Sequence, residues 1–247
     1  MPFTFSHPAI VLPLLNNKKK IFSVTGLVIG SIVPDFEAFI FLSQHKPYSH
    51  SWPGIFWFDL PLAILFSFIF HWFVRDALIR NLPMALEDKF REYVGFNWLA
   101  FFRKHFVMVL FSMLLGIFSH LLWDAFTHLS ISNPNSIDSD IHVGRIRLYK
   151  LLQYSNSLLG LILIWIFIMK IPGSKPETIH PAQRTDVGKW RYWLWLSAIT
   201  VAVSAIRIWY RGGIDAIVFV YIIISGLLLG LILTPFVIRH RAQKGHG

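Results

Sequence analysis

Five stretches of this chain are too long and too apolar for an ordinary soluble core: residues 54–74, 106–123, 155–171, 192–210 and 215–238. A helix rises 1.5 Å per residue, so about 20 apolar residues cross a hydrocarbon layer of about 30 Å. A sixth stretch, residues 21–43, is apolar but carries Pro34, Asp35 and Glu37. In lipid every backbone N–H and C=O must be satisfied internally, which leaves helices or a closed barrel. No even-spaced alternation suggests barrel strands. The expected fold is therefore all-α, a polytopic transmembrane helix bundle of about six spans. Residues 3–15 are also apolar, but short and interrupted by Pro8 and Pro13. They are expected to form a half-span or an interfacial helix, with Pro8 in its first turn. The charged stretch 75–105 is expected to be a loop with a surface helix. Residues 172–190, with Pro172, Gly173, Pro176 and Pro181, read as an irregular linker. The whole chain, 1–247, reads as one integral membrane domain: a motif-bearing part, 1–171, then the linker and two spans, 172–247.

Charge gives an orientation. Only 15% of the residues are charged, against about 25% in soluble proteins. The net charge is nevertheless +10. No basic stripe alternates with aromatics, so nucleic acid is not an expected partner; the lipid bilayer is. With the spans numbered one to six from residue 21, the basic residues concentrate on one side. That side comprises the connections after even-numbered spans, residues 16–20 and the C-terminus. Of the 23 Lys and Arg residues, the other side keeps only Lys46, Arg145, Arg147, Lys150, Arg207 and Arg211. The richer side is expected to be cytoplasmic, in the inner or plasma membrane of a cell. Lys18, Lys19 and Lys20 follow the first apolar stretch instead of preceding it. A cleavable signal is therefore not expected, and the first pass should be an uncleaved anchor. The absence of cysteine excludes disulfides, thiolate ligands and a cysteine nucleophile.

Ionisable residues inside spans are costly and by default mark function. His120, Asp124 and His128 recur every four residues at the end of the third span, which stacks them along one helix face. Imidazole and carboxylate on adjacent turns can share a divalent cation. A second group is Asp35 and Glu37 behind Pro34, where a proline break is expected. A third is the short loop with His45 and His50. By the charge-derived topology all three groups lie on the outer side, although none of them was used to derive it. His7 joins them if the N-terminal helix dips in from outside, and is excluded if that helix lies on the cytoplasmic surface. A single buried His or Asp is more often a helix–helix hydrogen bond. That is the expected role of His71, His105 and Asp59, with a proton relay as the alternative for Asp59. Asp138, Asp140 and His142 read equally as further ligands or as a wet loop.

Several runs together resemble a bacterial integral-membrane family of unknown function, family 4184. They are MPFTFSHPAIVLPL at the start, GSIVPDFEAF, HKPYSHSWPG, FSHLLWDAFTH and LLQYSNSLLG. The resemblance covers the chain to about residue 170. The same order of motifs is more loosely similar to the predicted membrane-bound metal-dependent hydrolases. That resemblance implies site roles for His7, Asp35, His45, His50, His120 and Asp124. This chain departs from the pattern at Glu37, which stands for an Asp, and at Ala38, where a His is expected. Lys46 replaces an Arg and Ser49 a Thr. A more distant likeness to zinc-dependent phospholipase C, an all-helical His/Asp metal enzyme, is at the level of fold.

The expected function is metal-dependent hydrolysis of an ester or phosphoester at the extracytoplasmic membrane face, on a lipid or envelope-derived substrate. His50, His120, Asp124 and Asp35 are the expected ligands, with His7, His45 and His128 as further ligands or as groups that orient them. Zinc suits this donor set best, with manganese or iron as alternatives. Glu37 or Asp35 is the expected general base, and Arg145 and Arg147 are candidates to hold a phosphate. The rival readings are a proton- or ion-coupled transporter, using Asp59, Asp35, His120 and Asp124 as a relay, and a structural membrane protein. A relay needs polar groups at successive depths, whereas a metal enzyme needs them convergent.

Overall fold

A computed structural model describes residues 3–15, 21–127, 142–143, 146–173, 189–212 and 215–244. Six of its helices are long and apolar enough to cross a membrane. They are α1 (Val24–Phe41), α2 (Trp52–Asn81), α3 (Phe106–Thr127), α4 (Leu148–Lys170), α5 (Lys189–Arg211) and α6 (Ala216–Lys244). A short 3-10 helix, Thr4–Val11, runs into one α turn, Leu12–Leu15, and precedes them. The all-α expectation holds, with one small exception. Strands β1 (His142–Val143) and β2 (Ile146–Arg147) form a two-residue antiparallel ladder.

Two expectations are corrected. Pro8 lies inside the N-terminal 3-10 helix, not in its first turn, because the helix begins at Thr4. Helix α2 does not stop at residue 74 but continues to Asn81. The stretch expected as a loop therefore begins as helix. Arg75 can lie within α2 because its guanidinium is satisfied. It donates to Asp76 at 2.6 Å, to His71 Nδ1 at 2.7 Å and to the Phe96 carbonyl at 2.8 Å. A buried cation is tolerated when it is paired and hydrogen-bonded in this way. Two further short helices follow, Met84–Phe90 and Trp98–Lys104. His71 stacks on the Trp98 indole at 4.4 Å and 6°.

By contact the chain divides into two compact units: Met1–Phe36, Pro47–Ser67 and Ala100–Lys170 in the first, the remainder in the second. In the first unit α1 packs against α3 through small residues. Gly26 and Gly30 form a G-x-x-x-G pair on α1, the spacing that lets two helix backbones approach closely. A Cβ on Gly30 would lie 2.3 Å from the Met113 carbonyl oxygen. One on Gly116 would lie 2.5 Å from the Leu27 carbonyl oxygen. Around this seam Leu27, Val33, Val109, Met113 and Ile117 are fully buried. Ser23 caps α1 by accepting from Gly26 N–H, and its own N–H donates to Ser112 at 2.9 Å.

The second unit repeats the device on α5 and α6. Gly226 and Gly230 pack against Thr200, Ser204 and Leu196. Its polar segments are tied by Lys189, which donates to the Leu82 carbonyl at 2.9 Å and to Glu87 at 2.7 Å. Arg207 donates to the Phe39 carbonyl and to Ser225.

Candidate metal centre

The first unit gathers four donors into one group. Ligand atoms from Asp35, His50, His120 and Asp124 all lie within 4.8 Å of one another. They reach the group from three local origins. Asp35 ends a 3-10 turn, Val33–Asp35, that Pro34 imposes inside α1. The proline cannot donate to an α-helical carbonyl, so the helix tightens there and the carboxylate is re-aimed. His120 and Asp124 sit one turn apart on α3, Nε2 to Oδ2 3.7 Å. His50 belongs to the turn just before α2, and its Nε2 lies 3.3 Å from Asp124 Oδ2.

The glycine seam sets the most informative contact. Gly30 and Gly116 let α1 and α3 close until the Ser31 carbonyl oxygen meets His120 Nδ1 at 2.8 Å. A carbonyl only accepts, so Nδ1 carries the proton, and in the neutral ring Nε2 then presents its lone pair. His120 Nε2 is buried and has no hydrogen-bond partner among the described residues. It faces Asp35 Oδ1 at 3.6 Å and Asp124 Oδ2 at 3.7 Å. Three electron-rich atoms are thus held close together, a donor set that could hold a cation.

The donors fit a first-row metal ion. Bonds of about 2.0–2.1 Å in a tetrahedral shell place neighbouring donor atoms about 3.3 Å apart. The contacts of 3.3, 3.6 and 3.7 Å are close to that edge. A second layer of contacts holds the outward atoms of the donors. Thr4 donates to Asp35 Oδ2 at 2.6 Å, and both residues are buried. The Ser49 hydroxyl is 2.9 Å from His50 Nδ1. Such outer contacts fix ligand orientation and tautomer in metal sites. The N-terminal 3-10 helix also brings His7, whose Nε2 is 3.6 Å from Asp124 Oδ1 and whose ring centroid is 4.0 Å from that of His120. Of the four convergent side chains, those of Asp35 and His120 are 0% exposed and that of Asp124 8%. His50 is the accessible one, at 26%.

Of the sequence-derived candidates, Asp35, His50, His120 and Asp124 come together and His7 stands beside them. His7 is brought there because its helix packs on α1, α3 and α4. That packing is anchored where Phe3 N–H donates to Ser157 and where Ser6 lies against Gly160. His45 is exposed, and neither His45 nor Glu37 belongs to the convergent group. Glu37 is buried and opens the second unit. His128 and Arg145 lie outside the described residues, and Arg147 is described only as backbone in β2. Asp59 is fully buried in a π-helical turn, Ile55–Asp59, of α2. Thr4 and the Ser31 carbonyl escaped the sequence reading. Nothing marks a threonine in an apolar run, and a backbone acceptor has no residue type. The G-x-x-x-G spacing was the signal available for the seam.

The profile of a family described as a domain of unknown function, DUF4184, matches residues 1–236. The chain belongs to this family. The match extends into α6, well past the limit near residue 170 to which the motifs carried the resemblance. No curated protein and no solved structure matches the chain. Membership brings no activity with it, so the function of this DUF4184 protein has to be argued from the His/Asp group itself.

Proposed function

We propose that the protein is a metal-dependent membrane hydrolase that cleaves an ester or phosphoester at the extracytoplasmic face. The observation that carries this reading is the His120 Nε2 lone pair, buried against the Asp35 and Asp124 carboxylates. Asp35, His50, His120 and Asp124 hold the ion. Imidazole and carboxylate donors without thiolate favour zinc, with manganese or iron next. A divalent cation held there supplies Lewis acidity, which lowers the pKa of water and polarises a carbonyl or phosphoryl oxygen.

The chain's own groups do the positioning. Thr4 holds Asp35 Oδ2 and so leaves Oδ1 turned to the group. The Ser31 carbonyl holds His120 in the tautomer that offers Nε2. His7 closes the buried side of Asp124. His50, the accessible donor, stands where substrate and water enter. Convergence of the donor atoms within 4.8 Å supports this reading over a relay, whose groups would be spread in depth.

Two measurements test the reading. The purified protein should carry about one zinc per chain and hydrolyse p-nitrophenyl acetate or p-nitrophenyl phosphate. Chelation should reduce either activity to background, and added zinc should restore it. Protein that is metal-free as isolated, takes up no added zinc and shows no metal-dependent turnover overturns the proposal. For orientation, the cysteine-free chain accepts single cysteines at Lys46 and Lys89 without removal of others. An impermeant thiol reagent applied to intact cells should label position 46 and not position 89. The reverse pattern would turn the proposed topology over and place the site inside.

A further inference from the structure

The depth of the site and its single accessible edge point to the kind of molecule it takes. Asp35 precedes Phe41, the last residue of its span, by six positions, which at 1.5 Å per residue is about 9 Å. His120 precedes Ala125, the end of the apolar stretch of α3, by five positions, or about 8 Å. Asp124 adjoins that end, and His50 lies just outside the first residue of α2, Trp52. The donors therefore run from just outside the span ends to somewhat under 10 Å inside them. A bilayer has about 30 Å of hydrocarbon within a total of about 40–45 Å. The region just inside the span ends is where lipid headgroups give way to acyl chains. The ester and phosphoester bonds of a glycerolipid lie at that level.

The surface around the accessible donor fits the same depth. His50 is bracketed by exposed aromatics, Tyr48 before it and Trp52 after it, with Phe56 and Trp57 one turn on. Trp52 is 74% exposed, and its ring lies 5.9 Å from Phe118 of α3. Tyr48 packs edge-on to Trp57 at 5.4 Å. Exposed Trp and Tyr at a span end are the residues that settle at the membrane–water boundary. Trp52 packs on Phe118, and Leu122, one turn on along α3, is also exposed, so an apolar strip begins two residues from His50.

We propose that the substrate is a membrane glycerolipid, bound with its acyl chain along the Trp52–Phe118–Leu122 strip and its headgroup-level ester or phosphoester bond at His50. This rests on the hydrolase reading above. Water supplies the oxygen that joins the acyl carbon or the phosphorus, and its proton ends on the departing alcohol, so the cleavage needs no further reactant.

The test compares probes that share a reacting bond and differ in chain. Zinc-loaded protein in detergent micelles is given p-nitrophenyl acetate and p-nitrophenyl dodecanoate, then methyl p-nitrophenyl phosphate and dodecyl p-nitrophenyl phosphate. In at least one pair the dodecyl compound should be cleaved with kcat/KM at least tenfold higher. In Trp52→Ala that ratio should fall threefold or more, with metal content retained as evidence of folding, and Trp52→Phe should recover most of it. Vesicles of phosphatidylethanolamine and phosphatidylglycerol should release fatty acid or headgroup, read by mass spectrometry. Cleavage of the short probes at equal or higher kcat/KM, or a ratio unmoved in Trp52→Ala, overturns the lipid assignment and leaves the hydrolase standing. Cleavage of none of the probes, or of the vesicles, by protein that holds zinc overturns the hydrolase reading itself.

Discussion

His120→Ala should release the metal, with affinity for zinc lowered at least 100-fold and hydrolysis lost. The reason is geometric. His120 is held at both ring nitrogens, Nδ1 at the Ser31 carbonyl and Nε2 facing two carboxylates. Alanine removes a ligand and leaves Asp35 and Asp124 facing each other across a buried void. The ion is left with three donors in place of four. Changes to groups that only orient a ligand typically weaken metal binding about 10–100-fold, so loss of the ligand should exceed that range. Thr4→Val provides the graded comparison. It keeps the volume and removes the hydroxyl that donates to Asp35 at 2.6 Å, and it should weaken zinc binding about tenfold. Thr4→Ser should return most of the loss. Zinc titration against a competing chelator measures all three variants. Equal affinity in His120→Ala and wild type would remove His120 from the ligand set.

Gly116→Leu should unfold the site from a distance. The new Cβ alone would stand 2.5 Å from the Leu27 carbonyl oxygen and 2.8 Å from Ser31 N, both backbone atoms that cannot rotate away. Helix α1 must retreat from α3, and the Ser31 carbonyl leaves His120 as it does so. Overpacking of a close contact costs about 1–3 kcal/mol, and a rigid obstacle puts the leucine at the upper end. Helix propensity works in the other direction, since Gly→Ala in a helix interior gains about 1 kcal/mol. Gly116→Ala is therefore a test of sign: propensity alone stabilises, whereas the clash destabilises, and the clash should win. A Cβ at Gly173 meets nothing within 4 Å, so Gly173→Ala should change stability by less than about 0.5 kcal/mol. Thermal unfolding in detergent, read beside zinc affinity, separates the cases. A stable Gly116→Leu protein with wild-type zinc affinity would show that the seam does not position the site.

The two variants also separate what was legible in the sequence from what was not. His120 and Asp124 were legible because a spacing of four on a helix places two side chains on one face, and lipid makes such residues too costly to be incidental. Asp35 was legible for the same reason, with Pro34 marking the break that re-aims it. His50 was an expected ligand, and His45 a further ligand or a group that orients one. They lie in one short connection, have the same chemistry and both fitted the motif, yet only His50 reaches Asp124. No periodicity governs a turn, so the choice between them is made by how the turn before α2 folds. The run over 75–81 read as loop because of its charges, and it is helix because Arg75 finds three acceptors.

The sequence by itself determined the class of fold and the expensive residues. Runs of about 20 apolar residues have one cheap solution in lipid, and a carboxylate inside one of them demands a partner. Tertiary structure decided which partners meet. Whether His7 joins the group was open until the N-terminal 3-10 helix was seen packed against α1, α3 and α4. Thr4, the Ser31 carbonyl and the inward lone pair of His120 emerge only once two helix backbones touch through glycine. Those contacts depend on distances between segments far apart in the chain, and hydropathy and spacing report only on neighbours along it.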